Sequence, residues 1–118
     1  METIINIVCE YFDISSKEIF LTNRSREIIK PRQILFYLLR KHTVMSLNDI
    51  GKMTCFYGRE KKLHHATISH AVGIVRTDRE LYKDIKETVD YLDRKISISS
   101  GDIDLLQIAL NNTYELSA

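Results

Sequence analysis

The chain contains few of the residues that interrupt helices. Its 118 residues include one proline and four glycines, and no alternation of apolar and polar residues persists for long. Strands with one buried face need that alternation, and tight hairpins usually need glycine, so a β-sandwich or β-barrel is disfavoured. The sequence therefore predicts an all-α protein, a helical bundle long enough to bury a modest core.

Further absences narrow the functional class. Cys9 and Cys55 match no CxxC spacing, which indicates two free thiols in a reducing compartment. No apolar run approaches the ~18 residues of a membrane span. The N-terminus lacks the basic and then apolar pattern of a signal peptide. We therefore expect a cytoplasmic protein without membrane association.

Signatures of catalysis and metal binding are also missing. The chain has no GxSxG, HExxH or GxxxxGK[ST] pattern, so we expect no enzyme and no nucleotide cofactor. His64, His65 and His70 are close in sequence, but adjacent and i, i+5 positions do not converge on one helix face. We accordingly expect no metal site.

What the chain does have is a concentrated positive charge. Residues 22–76 hold eleven Lys or Arg against three acids, a net charge of +8, in a chain whose total is +1. Residues 1–21 carry −3 and residues 77–118 carry −4. Charged residues often do no more than solvate a surface. A basic centre in a nearly neutral chain is nevertheless the pattern of a protein that binds a polyanion.

Apolar residues at helical spacing place the helices of the first half. One helix is predicted over residues 2–12, followed by a short helix capped by Ser15 or Ser16. A basic loop over residues 21–30 then precedes a helix that starts at Pro31, where a missing N–H is tolerated, and ends at His42.

The second half is also predicted to be helical. Ser46 and Asp49 have the spacing of an N-cap and its acidic partner, so a helix begins there. A second basic loop over residues 55–63 leads to a helix from about His65 to Val75. A long helix over residues 78–96 should bury a stripe of Leu81, Ile85, Val89, Leu92 and Ile96. Asp102 is expected to cap a final amphipathic helix.

Two short helices joined by a glycine-containing turn, with basic loops beside them, indicate a helix-turn-helix. The second helix of such a motif enters the major groove with its N-terminus first. Imidazole and hydroxyl groups donate to or accept from base edges, so we expect His64, His65 and Thr67 to contact bases.

Cations around the motif are expected to hold the DNA backbone. An arginine on a flexible arm is suited to a narrow minor groove, which makes Arg26 a further candidate base contact. Phosphate contacts are expected on both sides of the recognition helix. The candidates are Arg24, Lys30, Arg32, Gln33, Arg59, Lys61, Lys62 and His70.

Three motifs in this region match one known family. They are Lys30-Pro31-Arg32-Gln33, then Ser46-Leu47-x-x-Ile50-Gly51, then Gly58-Arg59 with His65-x-Thr67-Ile68-x-His70-Ala71. Over about residues 2–96 the chain resembles the C-terminal DNA-binding domain of DnaA, the bacterial replication initiator. The resemblance implies sequence-specific binding of double-stranded DNA in replication initiation control or related regulation. It also implies that Arg26 enters the minor groove and that Ala66 is a base contact, for which a thymine methyl is suitable.

The chain departs from the family pattern in several places. Four extra residues, about 60–63, lengthen the turn before the recognition helix. His64 stands where the family has Asp, and Ala66 replaces its first hydroxyl residue. No nucleotide-binding motif is present, so we expect no ATPase activity. The predicted helix after Asp102 has no counterpart in the family domain.

These features divide the chain and leave a second function open. We expect a DnaA-like helix-turn-helix domain over residues 1–97 and an additional amphipathic helix within residues 98–118. That helix is expected to dock on the body, with a homo-oligomer or a protein partner as the alternatives. The second function is a protein-interaction adaptor that keeps the fold but has lost specific DNA reading. If DNA is bound, two imidazoles in the interface should strengthen binding below about pH 6.5.

Overall fold

The computed structural model describes residues 1–21 and 26–99, and in these ranges the chain is helical with no strand. The elements are α1 Glu2–Phe12, α2 Ser16–Phe20, α3 Arg26–His42, α4 Leu47–Met53, a 3₁₀ helix Thr54–Tyr57, α5 His65–Leu81 and α6 Lys83–Ser99. The predicted all-α fold is confirmed. Among these helices, none combines the length and the apolarity that crossing a membrane requires.

Helix α3 lies at the centre of the molecule. Its residues 34–39 are all buried, because α1, α2, α4, α5 and α6 each pack against it. The partners supply Ile5 and Val8 from α1, Ile68 and Val75 from α5, and Leu92 from α6. Each such side chain contributes roughly 1.5–3 kcal/mol when fully buried. This core fixes the positions of the two helices that form the functional motif.

Serine caps start two of the short helices, as the sequence predicts. The Ser15 hydroxyl accepts a hydrogen bond from the backbone N–H of Glu18 at 3.1 Å, at the start of α2. Ser46 and Asp49 form a reciprocal capping box at the start of α4. Such local interactions satisfy N–H groups that have no partner within the helix.

Helix α3 begins one turn earlier than Pro31 predicts. It starts at Arg26 and includes the proline, so the predicted loop over residues 21–30 is wrong for residues 26–30. Pro31 removes one hydrogen bond from the helix. The additional turn is retained because it buries Ile28, which is 6% exposed, and brings Lys30 against α5.

The boundary between the last two described helices also differs from the prediction. Helix α5 continues to Leu81, and the chain bends at Tyr82, whose backbone is extended. Asp78, where a new helix was predicted to begin, lies within α5, and its carboxylate pairs with Lys30. Leu81 is 68% exposed rather than buried, whereas Val89, Leu92 and Ile96 are buried as predicted.

Two predictions concern the C-terminal part of the chain. Helix α6 continues through Ser99, and the helix expected after Asp102 lies outside the described residues. The division into residues 1–97 and 98–118 therefore stays a prediction.

Candidate nucleic-acid interface

Helices α4 and α5 form the predicted helix-turn-helix pair, and they pack against each other. At the start of α4 the Ser46 hydroxyl accepts from the N–H of Asp49 at 3.0 Å, and the Asp49 carboxylate accepts from the N–H of Ser46 at 3.1 Å. The backbone and hydroxyl hydrogen bonds of Ser46 lower the pKa of Asp49. A charged carboxylate in the first turn is favourable for the helix dipole.

Helix α4 approaches the chain just before α5 closely at Gly51. A Cβ built on Gly51 would overlap the backbone carbonyl oxygen of Leu63, the residue just before the α5 cap. The side chain of Leu63 packs against the core, so its backbone has little room to move away. The four additional residues 60–63 thus end in a fixed contact, and the lengthened turn still delivers α5 to α4.

The turn itself is held by local hydrogen bonds. Buried Thr54 donates from its hydroxyl to the carbonyl of Gly51 at 2.6 Å. Gly58 has a φ of 108°, in the left-handed region that favours glycine. The Arg59 Nε donates to the carbonyl of Lys61 at 3.4 Å. These contacts give the turn one compact path.

The predicted base contacts of α5 lie together in its first turn. His64 is the N-cap, and its Nδ1 accepts from the backbone N–H of Ala66 at 3.1 Å. The rings of His64 and His65 are in contact, with their centroids 4.2 Å apart and their planes tilted by 32°. These three residues and Thr67 are exposed, whereas Ile68 is fully buried. The first turn therefore presents imidazole, methyl and hydroxyl groups to solvent on an anchored helix.

Two of the predicted phosphate contacts also hold the end of α2. The guanidinium of Arg32 donates to the carbonyl of Ile19 at 2.6 Å and to that of Leu21. Arg59 Nη1 donates to the carbonyl of Phe20 at 3.1 Å. Partial burial lowers the pKa of Arg32, and the nearby charge of Arg59 lowers it further. Two guanidinium groups therefore lie close together, and positive charge is concentrated here.

A cationic cleft opens beside these arginines. Its volume is about 390 Å³. It is lined by Leu21, Gly58, Arg59, Glu60 and Lys61. Lys61 and Lys62 are exposed, so their ammonium groups are accessible to an anion just before α5 begins.

The other predicted phosphate contacts line a surface that we call the α3–α5 groove. One part is lined by Ile29, Lys30 and Gln33 of α3 together with Ile74 of α5. Ile74 also lines an adjoining part with His70, Gly73, Thr77 and Asp78. Lys30 and Asp78 form an ion pair across this groove. The structure thus brings Lys30, Gln33 and His70 to one surface, separate from the Arg59 loop.

Some site residues are placed differently from the sequence prediction or not placed at all. Asp78 was not identified as part of the site, because no local pattern pairs residues 48 positions apart. The backbone of Arg26 begins α3 rather than lying in a loop, and its side chain, like the whole of Arg24, lies outside what the structure describes. Within residues 1–21 and 26–99, no three His, Cys, Asp or Glu side chains are grouped as ligands for a metal ion.

Comparison with known proteins decides the family. The family model of the bacterial dnaA protein helix-turn-helix matches residues 1–75. The chain belongs to this DnaA helix-turn-helix family. The match covers α1 to α4 and most of α5, including the capping box, the turn and the exposed first turn of α5. The resemblance expected from the sequence motifs is therefore confirmed.

Individual DnaA proteins are similar over a longer stretch. The chromosomal replication initiator protein DnaA of Lachnoclostridium phytofermentans is 40% identical over 97 residues, which cover 82% of this chain and 20% of the relative. DnaA of Bacteroides fragilis is 35% identical over 105 residues, 86% of this chain and 21% of the relative. DnaA of Thermomicrobium roseum is 38% identical over 88 residues, which cover 71% of this chain and 18% of the relative. The chain spans about a fifth of the length of these DnaA relatives.

Proposed function

We propose that this chain binds double-stranded DNA sequence-specifically through its DnaA-type helix-turn-helix, in replication initiation control or related regulation. The observation that carries the proposal is the first turn of α5. There His64, His65, Ala66 and Thr67 are exposed together at the end of the helix that leads into the major groove in such motifs.

The chemistry of this turn suits base edges. The hydroxyl of Thr67 and the ring nitrogens of His65 donate or accept hydrogen bonds, and the methyl of Ala66 suits a thymine methyl. His64 has a second role, because its Nδ1 is already engaged as the helix cap. Its outer ring nitrogen, Nε2, is then the atom offered to DNA.

The cations of the loop before α5 and of the α3–α5 groove also support a placement of α5 in the major groove of DNA. The loop of Arg59, Lys61 and Lys62 lies just before α5, whereas the α3–α5 groove meets the helix at Ile74. Nine residues from His65 to Ile74 correspond to roughly 13 Å of helix, comparable with the ~12 Å width of the major groove. The two clusters are therefore spaced to contact phosphates on either side of it. Arg24 and Arg26 remain proposed contacts from the sequence alone, and the family resemblance adds support for Arg26.

The activity proposed here is binding without catalysis. The relatives are named chromosomal replication initiator proteins, and this chain corresponds to about a fifth of their length. Its residues include no GxxxxGK[ST] motif, so we assign no nucleotide hydrolysis to them.

Substitutions that separate base contacts from phosphate contacts test the proposal. His65→Ala and Thr67→Ala should weaken binding to a duplex with a DnaA-type box by about 5- to 150-fold, since each good base contact is worth roughly 1–3 kcal/mol. Their binding to a scrambled duplex should change little. Lys61→Ala with Lys62→Ala should weaken binding to both duplexes alike.

Fluorescence anisotropy with the two labelled duplexes provides the measurement. Ser69→Ala is the matched control, because Ser69 is exposed on the same helix but has no assigned contact. Equal losses on both duplexes for His65→Ala and Thr67→Ala would contradict the assignment of base reading to the first turn.

A second candidate function is the protein-interaction adaptor. The observation that favours it is Phe56, which is 88% exposed in the 3₁₀ helix between α4 and α5. An adaptor would bind neither duplex near ~0.1 M salt. It would bind its protein partner through an apolar contact that Phe56→Ala removes.

A further inference from the structure

An acid occupies a surface that the proposed function assigns to phosphates. Asp78 on α5 forms an ion pair with Lys30 on α3, and the two side chains are 20% and 34% exposed. Asp78 also lines the α3–α5 groove beside His70. A carboxylate at this position cancels the charge of the lysine and repels a phosphate that approaches it.

We propose that Asp78 masks Lys30 and thereby sets the affinity of this chain for DNA. The inference rests on the proposed function and adds a residue that opposes binding. While Asp78 is charged beside it, Lys30 offers little net positive charge to the phosphate row. Contacts to phosphates contribute to affinity but carry no sequence information. Masking Lys30 therefore makes binding depend more on the contacts of the first turn of α5.

The salt dependence of binding gives the proposal a quantitative consequence. Each phosphate neutralised by a cation adds about −0.9 to the slope of log K against log salt concentration. Asp78→Asn releases Lys30 to neutralise one more phosphate, so the slope should steepen by about one. The same relation predicts about eightfold tighter binding near ~0.1 M salt, and a gain that vanishes near 1 M. Both the box duplex and the scrambled duplex should show this gain.

Three further variants show whether the effect passes through Lys30. Lys30→Gln should weaken binding to both duplexes, because it removes a cation and leaves the Asp78 carboxylate without its partner in the α3–α5 groove. Asp78→Asn in the Lys30→Gln background should steepen the slope much less than in the wild type, because that background has no lysine to release. Glu80→Gln makes the same change of charge on the same helix, roughly 200° around the axis from Asp78, and should leave the slope unchanged. Asp78→Ala repeats the neutralisation with a different side chain.

The experiment is anisotropy with both duplexes from about 0.05 to 1 M salt, with circular dichroism to verify that each variant is folded. A steeper slope with Asp78→Asn and Asp78→Ala that depends on Lys30 supports the proposal. An unchanged slope, or a slope that steepens equally with Glu80→Gln or in the Lys30→Gln background, overturns it while leaving DNA binding in place. If the wild type binds neither duplex, the proposed function itself fails, and the masking role fails with it.

Discussion

Replacing Gly51 tests, at a single residue, how closely α4 packs against the chain before α5. Gly51→Ala places a Cβ against the carbonyl oxygen of Leu63, where the obstacle is backbone on a core-packed residue. We expect the free energy of unfolding to fall by about 2–4 kcal/mol. Urea denaturation followed by circular dichroism measures the change.

Gly73 provides the matched control with the opposite sign. A Cβ at Gly73 meets nothing within 4 Å, and replacing glycine inside a helix by alanine stabilises it by roughly 0.5–1 kcal/mol. The added methyl enters the α3–α5 groove, so Gly73→Ala should also bind DNA more weakly than the wild type. A Gly51→Ala protein as stable as the wild type would contradict the close approach of α4 and Leu63. Undiminished affinity in Gly73→Ala would place the DNA away from this groove.

DNA binding should depend differently on pH through the two adjacent histidines. Nδ1 of His64 accepts the cap hydrogen bond from Ala66, and a protonated Nδ1 has no lone pair for it. His65 has no such constraint within its own turn. The predicted gain in DNA affinity below about pH 6.5 should therefore come from His65. His64→Asn, which keeps a capping side chain, should retain the gain, and His65→Asn should lose it. A wild-type affinity for DNA that does not change between pH 6 and 8 would contradict the hypothesis that a histidine strengthens binding at lower pH.

At the scale of elements, Asp93 joins two helices through their side chains. Its carboxylate on α6 accepts from Lys41 Nζ at 2.6 Å and from His42 Nε2, both at the end of α3. Partial burial alone raises the pKa of Asp93, but the hydrogen bonds and charges of Lys41 and His42 lower it by more. The pKa is thus below its unfolded value, so the stabilisation is present above about pH 4 and is lost as pH falls through the lowered pKa.

Asp93→Asn should lower the free energy of unfolding by about 1 kcal/mol at pH 7, since the groups are partly exposed and solvent screens them. The difference from the wild type should disappear near pH 2. Glu87→Gln is the matched control, because Glu87 pairs with Lys83 at 3.9 Å on the exposed face of the same helix. A stability difference that is independent of pH would show that Asp93 acts through packing instead of charge.

The helices differ in how far the sequence predicts them. Helix α1 and the starts of α2, α4 and α5 follow from local patterns, because a serine or histidine cap and a short apolar spacing act within a few residues. The start of α3 does not, since the burial of Ile28 and the ion pair of Lys30 with Asp78 outweigh the local preference of Pro31. The end of α5 does not follow from local patterns either, because Asp78 pairs with the distant Lys30.

The candidate site shows the same division between local and distant information. Residues 64–67 are consecutive, so one helix start brings them together and the motif alone locates them. Lys30, His70 and Asp78 share a groove only because α3 packs on α5. The second role of Arg32 and Arg59, binding the carbonyls at the end of α2, also depends on tertiary packing.

For the whole molecule, the basic centre is smaller in effect than its net charge of +8 suggests. Lys30 is paired with Asp78, and Lys41 with Asp93. If Arg24, Arg32, Arg59, Lys61 and Lys62 each neutralise one phosphate, the slope of log K against log salt concentration is about −4.5. A slope near −6 would mean that the paired lysines also engage the DNA, since seven cations would then each neutralise one phosphate.

The most direct test of DNA reading is fluorescence anisotropy of the wild-type chain with two short duplexes of equal composition, one with a DnaA-type box and one scrambled. The titrations are repeated from about 0.05 to 0.3 M salt. We predict tighter binding to the box at every salt concentration, with a slope of about −4 to −5 for both duplexes. Equal binding to both would leave the phosphate contacts standing but contradict sequence reading by the first turn of α5. Absence of binding to either duplex near ~0.1 M salt would contradict the DNA-binding account as a whole.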